Sequence, residues 1–301
     1  MQCVKAGGMQ NYSCGQCMPC RIDKRRMWTH RILLETRSHP VSTFITLTYK
    51  DMPRDNSVHH EELSLWIKRI RKAYPHALRH YSVGEYGDLS QRPHYHVVLF
   101  GFPNCAYGRT PAHARRLGVS CCRYCDLVKS TWKLGGIELG QLNATSAGYI
   151  AGYTTKKMTK QEDPRLLGRR PEFARMSLKP GIGALEIRKI ADTLLAKPEL
   201  YEYFFAQGDL PASLKVEGRD LPLGRYLRER LHEELEFGKE AAKKIRTDRI
   251  EKEMQAVSSD PQRLQKFLKE NRLEHVPHET RLQKARNLEA RLKINQSKKQ
   301  I

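Results

Sequence analysis

Apolar and polar positions in the middle of the chain change period several times, and each change marks an element. Thr43-Phe44-Ile45-Thr46-Leu47-Thr48-Tyr49 alternates and is rich in β-branched residues, the pattern of a half-buried strand. Asp51 to Asn56 ends it with turn chemistry. From Glu61 to Lys72, the apolar residues Leu63, Leu65, Trp66, Ile67 and Ile70 recur among charges as on a helix. Tyr81 to Glu85 reads as a strand broken by Gly87-Asp88, and His94 to Phe100 as a second, stopped by Gly101 and Pro103. Thr145 to Met158 reads as a helix despite its glycines, with Thr145 or Ser146 available as its cap. This order predicts an α+β fold, a central antiparallel sheet with flanking helices.

Three zones follow. Residues 1–40 form a basic, Cys-rich leader, whose predicted helix runs from Cys20 past Arg21, Lys24, Arg25 and Arg26 to Ile32, Leu33 and Leu34. Residues 41–195 hold the α+β domain. Residues 196–301 form a charged, mainly helical C-terminal region, where Leu227, Leu231 and Leu235 stack on one helix face. Ile245, Ile250 and Met254 follow at uneven intervals, so solvated helices are expected there rather than a dimer-forming hairpin.

Charge narrows the partners. Lys and Arg number 54 against 33 Asp and Glu, a formal net charge of +21. A chain with pI ≈ 9.7 seeks a polyanion, with a nucleic acid ahead of an anionic membrane surface. Arg115, Arg116, Arg169 and Arg170 add cations to those of the leader. The mean hydropathy is −0.66, and no apolar run approaches the ~18 residues of a membrane helix. Residues 1–8 lack the apolar stretch of a secretory signal, so neither a membrane-spanning nor a secreted protein is expected.

The richest chemistry lies in Gly84-Glu85-Tyr86-Gly87 and Arg92-Pro93-His94-Tyr95-His96. Side chains alternate along a strand, so His94 and His96 share one face and Tyr95 takes the other. Two imidazoles side by side on a rigid strand can chelate one metal ion. Glu85, on the preceding strand, is the candidate third ligand if the two strands are neighbours. Three ligands leave positions open for a substrate oxygen. Further on, Tyr149, Tyr153 and Lys156 fall on one helical stripe, which Lys157 could share. A phenol ordinarily ionises near pH ~10 and needs help to attack phosphorus, and a nearby ammonium would stabilise the developing charge.

Eight cysteines remain. Cys14, Cys17 and Cys20 have metal-ligand spacing, with Cys3 or a distant cysteine as a fourth partner. Cys105, Cys121, Cys122 and Cys125 could close a separate site. Either group could hold structural Zn²⁺ or stand as reduced thiols in a reducing cytoplasm. No Walker-type nucleotide loop occurs, so no small-molecule cofactor is expected.

The order of apolar strand, His-hydrophobic-His strand and Tyr-xxx-Tyr-xx-Lys helix resembles the three motifs of the HUH endonucleases. More narrowly, the chain resembles the replication initiation proteins of gokushovirus-type microviruses, small single-stranded DNA phages. Cys14-Gly15-Gln16-Cys17-Met18-Pro19-Cys20-Arg21, Thr46 to Tyr49, Gly84 to Gly87, Arg92 to His96, Tyr149 to Lys157 and Phe173 to Gly183 carry the resemblance. The tail from about 195 matches no motif. The resemblance implies a rolling-circle initiator that nicks one strand at an origin and becomes joined to its 5′-phosphate through tyrosine. It implies a 3′-hydroxyl left for a host polymerase, a displaced strand rejoined as a circle, and action in the cytoplasm of an infected bacterial host. His94 and His96 match the metal-binding histidines, for Mg²⁺ or Mn²⁺. Tyr149 and Tyr153 match the paired nucleophiles, and Lys156 the motif lysine. A host helicase would supply unwinding. Two other readings stay open: a related HUH transposase or relaxase, and a non-enzymatic, zinc-stabilised nucleic-acid-binding protein whose tyrosine stripe is packing.

Overall fold

The alternation at 43–49 becomes β1 (Ser42–Thr48), the strand on which the sheet is organised. A computed structural model of the chain describes residues 3, 14–88, 90–116, 118–153, 161–208, 210–216, 218–270 and 278–297. The chain divides into two compact units, Trp28–Glu186 and Met1–Met27 with Ile187–Ile301. In chain order the first elements are α1 (Met18–Arg37), β1, α2 (His60–Ala73), β2 (Arg79–Tyr86) and β3 (Pro93–Phe100). There follow α3 (Arg123–Trp132), β4 (Ile137–Gln141), α4 (Ala144–Tyr153), β5 (Phe173–Met176) and α5 (Ala184–Leu195).

The five strands of Trp28–Glu186 form one sheet in the order β4-β1-β3-β2-β5, with all neighbours antiparallel. The predicted α+β fold is therefore observed. Its edge strands β4 and β5 are only five and four residues long, too short to announce themselves by alternation. At β5 the Phe173 ring lies against Gly84 of β2; a Cβ on Gly84 would come 2.7 Å from that ring. Glycine next to Glu85 thus lets an aromatic cover the strand.

Central β3 is buried on both faces, which explains its unbroken apolar run. Tyr95, Val97 and Leu99 join Ile45 and Leu47 of β1 in a core closed by Leu63, Trp66, Ile67 and Ile70 of α2 and by Val128 and Trp132 of α3. The Tyr95 hydroxyl lies 2.5 Å from that of Tyr49, and the Trp132 indole donates to the Thr48 carbonyl at 3.0 Å. Burying these polar tips with partners keeps the core free of unmet donors. The opposite face carries Val98 and Phe100, and there the Trp28 ring of α1 packs on Tyr81 of β2 at 5.1 Å.

The start of α4 corrects the expected cap. Asn143 Oδ1 accepts the Ser146 N–H at 2.9 Å, while Ser146 Oγ accepts the Asn143 N–H at 2.8 Å. Asn143 is the cap and Ser146 closes a reciprocal capping box, because the helix starts one residue earlier than predicted. Asn143→Ala is expected to cost ~1 kcal/mol, read as a lower urea midpoint at unchanged slope. A midpoint equal to wild type would show that the cap contributes nothing.

The second unit is described by itself. It holds α6 (Pro198–Gln207), a hairpin of β6 (Ser213–Val216) and β7 (Arg219–Pro222), and α7 (Gly224–Glu234). Beyond lie α8 (Lys239–Val257), α9 (Pro261–Glu270) and α10 (His278–Ser297). The stripe at 227, 231 and 235 is buried, as its spacing predicts. The hairpin inside a mainly helical region was not foreseen. Among the described residues, no helix is long and apolar enough to cross a membrane.

Candidate active site

Register decides which side chains meet. On the β2–β3 ladder Glu85 stands opposite His94, and on the β1–β3 ladder Thr46 stands opposite His96. Cross-strand partners share a face, so Glu85, His94, His96 and Thr46 all project to the side opposite Tyr95. Glu85 Oε1 lies 2.8 Å from His94 Nε2 and 3.1 Å from His96 Nε2. Glu85 and His96 are buried, while His94 is partly open to solvent.

The outer nitrogens of the two rings are also engaged. His94 Nδ1 faces the Arg92 carbonyl at 3.1 Å. A carbonyl only accepts, so Nδ1 carries the proton and the neutral ring turns a lone pair toward Glu85. His96 Nδ1 lies 3.1 Å from Thr46 Oγ1, which holds that ring in the same way. Lone pairs this close to a carboxylate oxygen repel unless a proton or a metal cation lies among them. A divalent ion with ligand bonds of about 2.1 Å sets neighbouring ligands about 3 Å apart at right angles. The separations at Glu85 match that spacing, and the donor set fits a divalent ion.

Both tyrosines of α4 reach this cluster. The Tyr153 ring stacks on His96 at 5.2 Å and 14°, with its hydroxyl 3.5 Å from His96 Nε2. The Tyr149 ring meets His96 edge-on at 5.3 Å and Tyr153 at 5.0 Å. Phe44 of β1 stacks on the other side of His96 at 5.4 Å. Tyr149 is 49% exposed and Tyr153 is half-buried, so the two phenols differ in access. Burial, the Glu85 charge and Tyr149 together push the Tyr153 hydroxyl well above its ordinary pKa. Lys156 and Lys157 lie outside the described residues.

A groove of about 650 Å³ opens beside His96 and Tyr149. Its far wall is Tyr107, Gly108 and Arg109, and its floor includes Glu138, Gly140 and Asn143. Tyr107 is 70% exposed, offering a flat ring to the groove. Arg109 pairs with Glu138, which also meets Arg115 at 3.3 Å. Tyr107 and Arg109 were not singled out from sequence, since they lie in a loop with no periodicity. The basic pair Arg169 and Arg170 is engaged structurally instead. Arg169 lies over the Tyr86 ring at 4.1 Å, and Arg170 pairs with Glu61 at 3.1 Å.

The cysteines gather as two groups of four. Cys3, Cys14, Cys17 and Cys20 form one, and Cys105, Cys121, Cys122 and Cys125 the other. Cys3 is thus the fourth member of the leader group.

The fold and the side chains on its polar face define a class. Residues 42–158 match the family of replication-associated proteins of the ORF2 type. That span contains Thr46, Glu85, His94, His96, Tyr149 and Tyr153, and it places the chain among the replication-associated proteins of microviruses. The chain is 30% identical over 162 residues to the replication-associated protein VP4 of Bdellovibrio phage phiMH2K, covering 50% of each. It is 32% identical over 182 residues to the replication-associated protein ORF2 of Spiroplasma virus 4, covering 56% of this chain and 55% of that one. It is 26% identical over 150 residues to the replication-associated protein ORF4 of Chlamydia phage 1, covering 48% and 38%. The chain thus spans about half the length of the first two curated relatives. No solved structure matches it.

Proposed function

We propose that this chain initiates rolling-circle replication of a phage genome as a metal-dependent, tyrosine-nucleophile DNA endonuclease and strand transferase. The observation that carries this reading is the convergence of both α4 tyrosines on His96, one member of the Glu85-His94-His96 donor set. Binding-module packing gives no reason for two phenols to sit against a metal-competent trio. The replication role of its relatives points the same way.

Mg²⁺ or Mn²⁺ held by Glu85, His94 and His96 would supply Lewis-acid polarisation of a non-bridging oxygen of the scissile phosphate. The chain's own residues do the rest. Thr46 and the Arg92 carbonyl fix the imidazoles. The groove seats single-stranded origin DNA, with Tyr107 available to stack on a base and Arg109 to meet a phosphate. The phenolic oxygen of Tyr149 or Tyr153 attacks phosphorus and loses its proton to solvent. The bond to the 3′ oxygen breaks, and that oxygen takes up a proton. Lys156, three residues beyond Tyr153, is assigned to neutralise the developing charge. One phosphodiester replaces another, so the exchange is near isoenergetic and runs backwards to rejoin the strand without ATP. The 3′-hydroxyl then serves a host polymerase, with a host helicase opening the duplex in the infected cell. The second tyrosine can cut again while the first holds its 5′ end.

Covalent trapping tests this directly. Incubation with single-stranded origin-region DNA and Mn²⁺ or Mg²⁺, followed by denaturation, is expected to give a protein–DNA adduct. Mass spectrometry should map it to Tyr149 or Tyr153, and a chelator should abolish it. No adduct with either metal across oligonucleotides tiling the genome would leave a DNA-binding protein without strand-transfer chemistry.

A further inference from the structure

Eight cysteines take no part in the chemistry above, and they are all free thiols. In the leader group, Cys17 Sγ lies 3.3 Å from Cys20 Sγ and 3.8 Å from Cys3 Sγ, and Cys14 Sγ lies 3.9 Å from Cys20 Sγ. In the other group, Cys105 Sγ and Cys121 Sγ are 3.7 Å apart. In each group all four sulfurs lie within 4.8 Å of one another. A disulfide needs about 2.05 Å. Four sulfurs placed tetrahedrally at about 2.3 Å from a zinc ion stand about 3.8 Å from each other. The packing of both groups matches the second arrangement.

Backbone donors support the same reading. The N–H groups of Gln16 and Cys17 donate to Cys14 Sγ at 3.4 and 3.3 Å, and the Cys14 N–H donates to Cys3 Sγ at 3.3 Å. Peptide donors aimed at sulfur favour thiolates over thiols. Burial makes a further argument. Among the described residues, the core cluster formed by Cys3 and Cys20 is completed only by Cys14 and Cys17. Four sulfurs bury too little apolar area to hold an extended leader in place. An ion that binds only the assembled group would hold it.

We infer that the chain binds two structural zinc ions, one at Cys3-Cys14-Cys17-Cys20 and one at Cys105-Cys121-Cys122-Cys125. Four thiolates in a tetrahedral array select zinc or iron among the common metals, and zinc needs no redox partner. The sites are distinct from the Glu85-His94-His96 set and stand whether or not the chain cuts DNA. The second has a structural consequence. Cys105 anchors the loop that presents Tyr107 and Arg109, and Cys122 and Cys125 flank the start of α3. Zinc there would tie the groove wall to the core.

Elemental analysis of the full-length protein, purified without chelator, tests the assignment. Two zinc atoms per chain are expected, both released by a thiol-blocking mercurial and counted with a chromogenic chelator. Cys17→Ser and Cys122→Ser should each retain about one. The paired variant His94→Ala, His96→Ala should retain two, which separates these sites from a divalent ion at the histidines. Should a cysteine variant fail to fold, alkylation of the native chain decides. Its eight thiols should resist iodoacetamide until the metal is stripped. No mercurial-released zinc, iron in its place, or free alkylation of the untreated protein would overturn the proposal. Loss of a single zinc would overturn it for the group that never held one.

Discussion

His96→Ala is expected to lower the rate of adduct formation with single-stranded DNA by about 10³-fold or more. His96 has three roles at once in this fold. It offers Nε2 to the Glu85 carboxylate, it carries the stacked Tyr153 ring, and it meets the edge of Tyr149. Truncation removes one of three ligands, so the charge stabilisation a divalent ion would give, several kcal/mol, goes with it. About 4 kcal/mol is a factor of about 10³ in rate. Thr46→Val separates ligand from orienter. It deletes the hydroxyl beside His96 Nδ1 and leaves all three donors, and loss of such an outer partner costs about 10–100-fold in metal affinity. Raising Mn²⁺ should therefore restore Thr46→Val and leave His96→Ala inactive. Quenched-flow rates across a Mn²⁺ titration read both. A His96→Ala rate within tenfold of wild type would remove the metal-ligand role.

Much of this site is readable along the chain because it depends on short-range geometry. His94 and His96 share a face by strand alternation, and Tyr149 and Tyr153 by helical spacing. Both relations hold in the fold. What joins the two pairs is long-range. Glu85 meets His94 only because β2 and β3 pair in one register, and a slip of one residue would turn the carboxylate to the other face. Thr46 was visible as part of an alternating strand. Its place beside His96 follows from pairing across 50 positions, which no local pattern encodes. Cys3 is similar: eleven residues separate it from Cys14, so spacing alone left its partner open. The cap of α4 was missed for a local reason. Asn143 and Ser146 both suit a helix start, and only their reciprocal bonds decide between them. Arg169 shows the reverse error, since a basic pair suggests phosphate, but its guanidinium rests on an aromatic ring.

The second large effect concerns what holds the platform rather than what reacts on it. Glu35 of α1 is fully buried and binds three groups. One carboxylate oxygen pairs with Arg79 of β2 and lies 3.2 Å from His39 Nε2; the other accepts the Gly183 N–H at 2.6 Å. Arg79 reaches on to the Pro180 carbonyl at 2.6 Å. One carboxylate therefore ties α1, the first residue of β2 and the segment before α5 together. Glu35→Ala leaves a buried guanidinium and a buried N–H without it, at an expected cost of about 3–5 kcal/mol. Burial alone would raise the Glu35 pKa, but the bonds from His39, the Gly183 N–H and Arg79 outweigh it and hold it below the ordinary range. A carboxyl with a folded pKa below its unfolded value of ~4.3 stabilises fully above that value. The stabilisation is lost as pH falls through the folded pKa, where the protonated acid resembles an amide. Glu35→Gln keeps the volume and removes the charge. Its deficit against wild type should be largest near neutral pH and shrink below about pH 4. Urea melts of both proteins at a series of pH values give that difference directly. A deficit that stays constant across the acid range would mean that the charge of Glu35 contributes nothing and that only its shape matters.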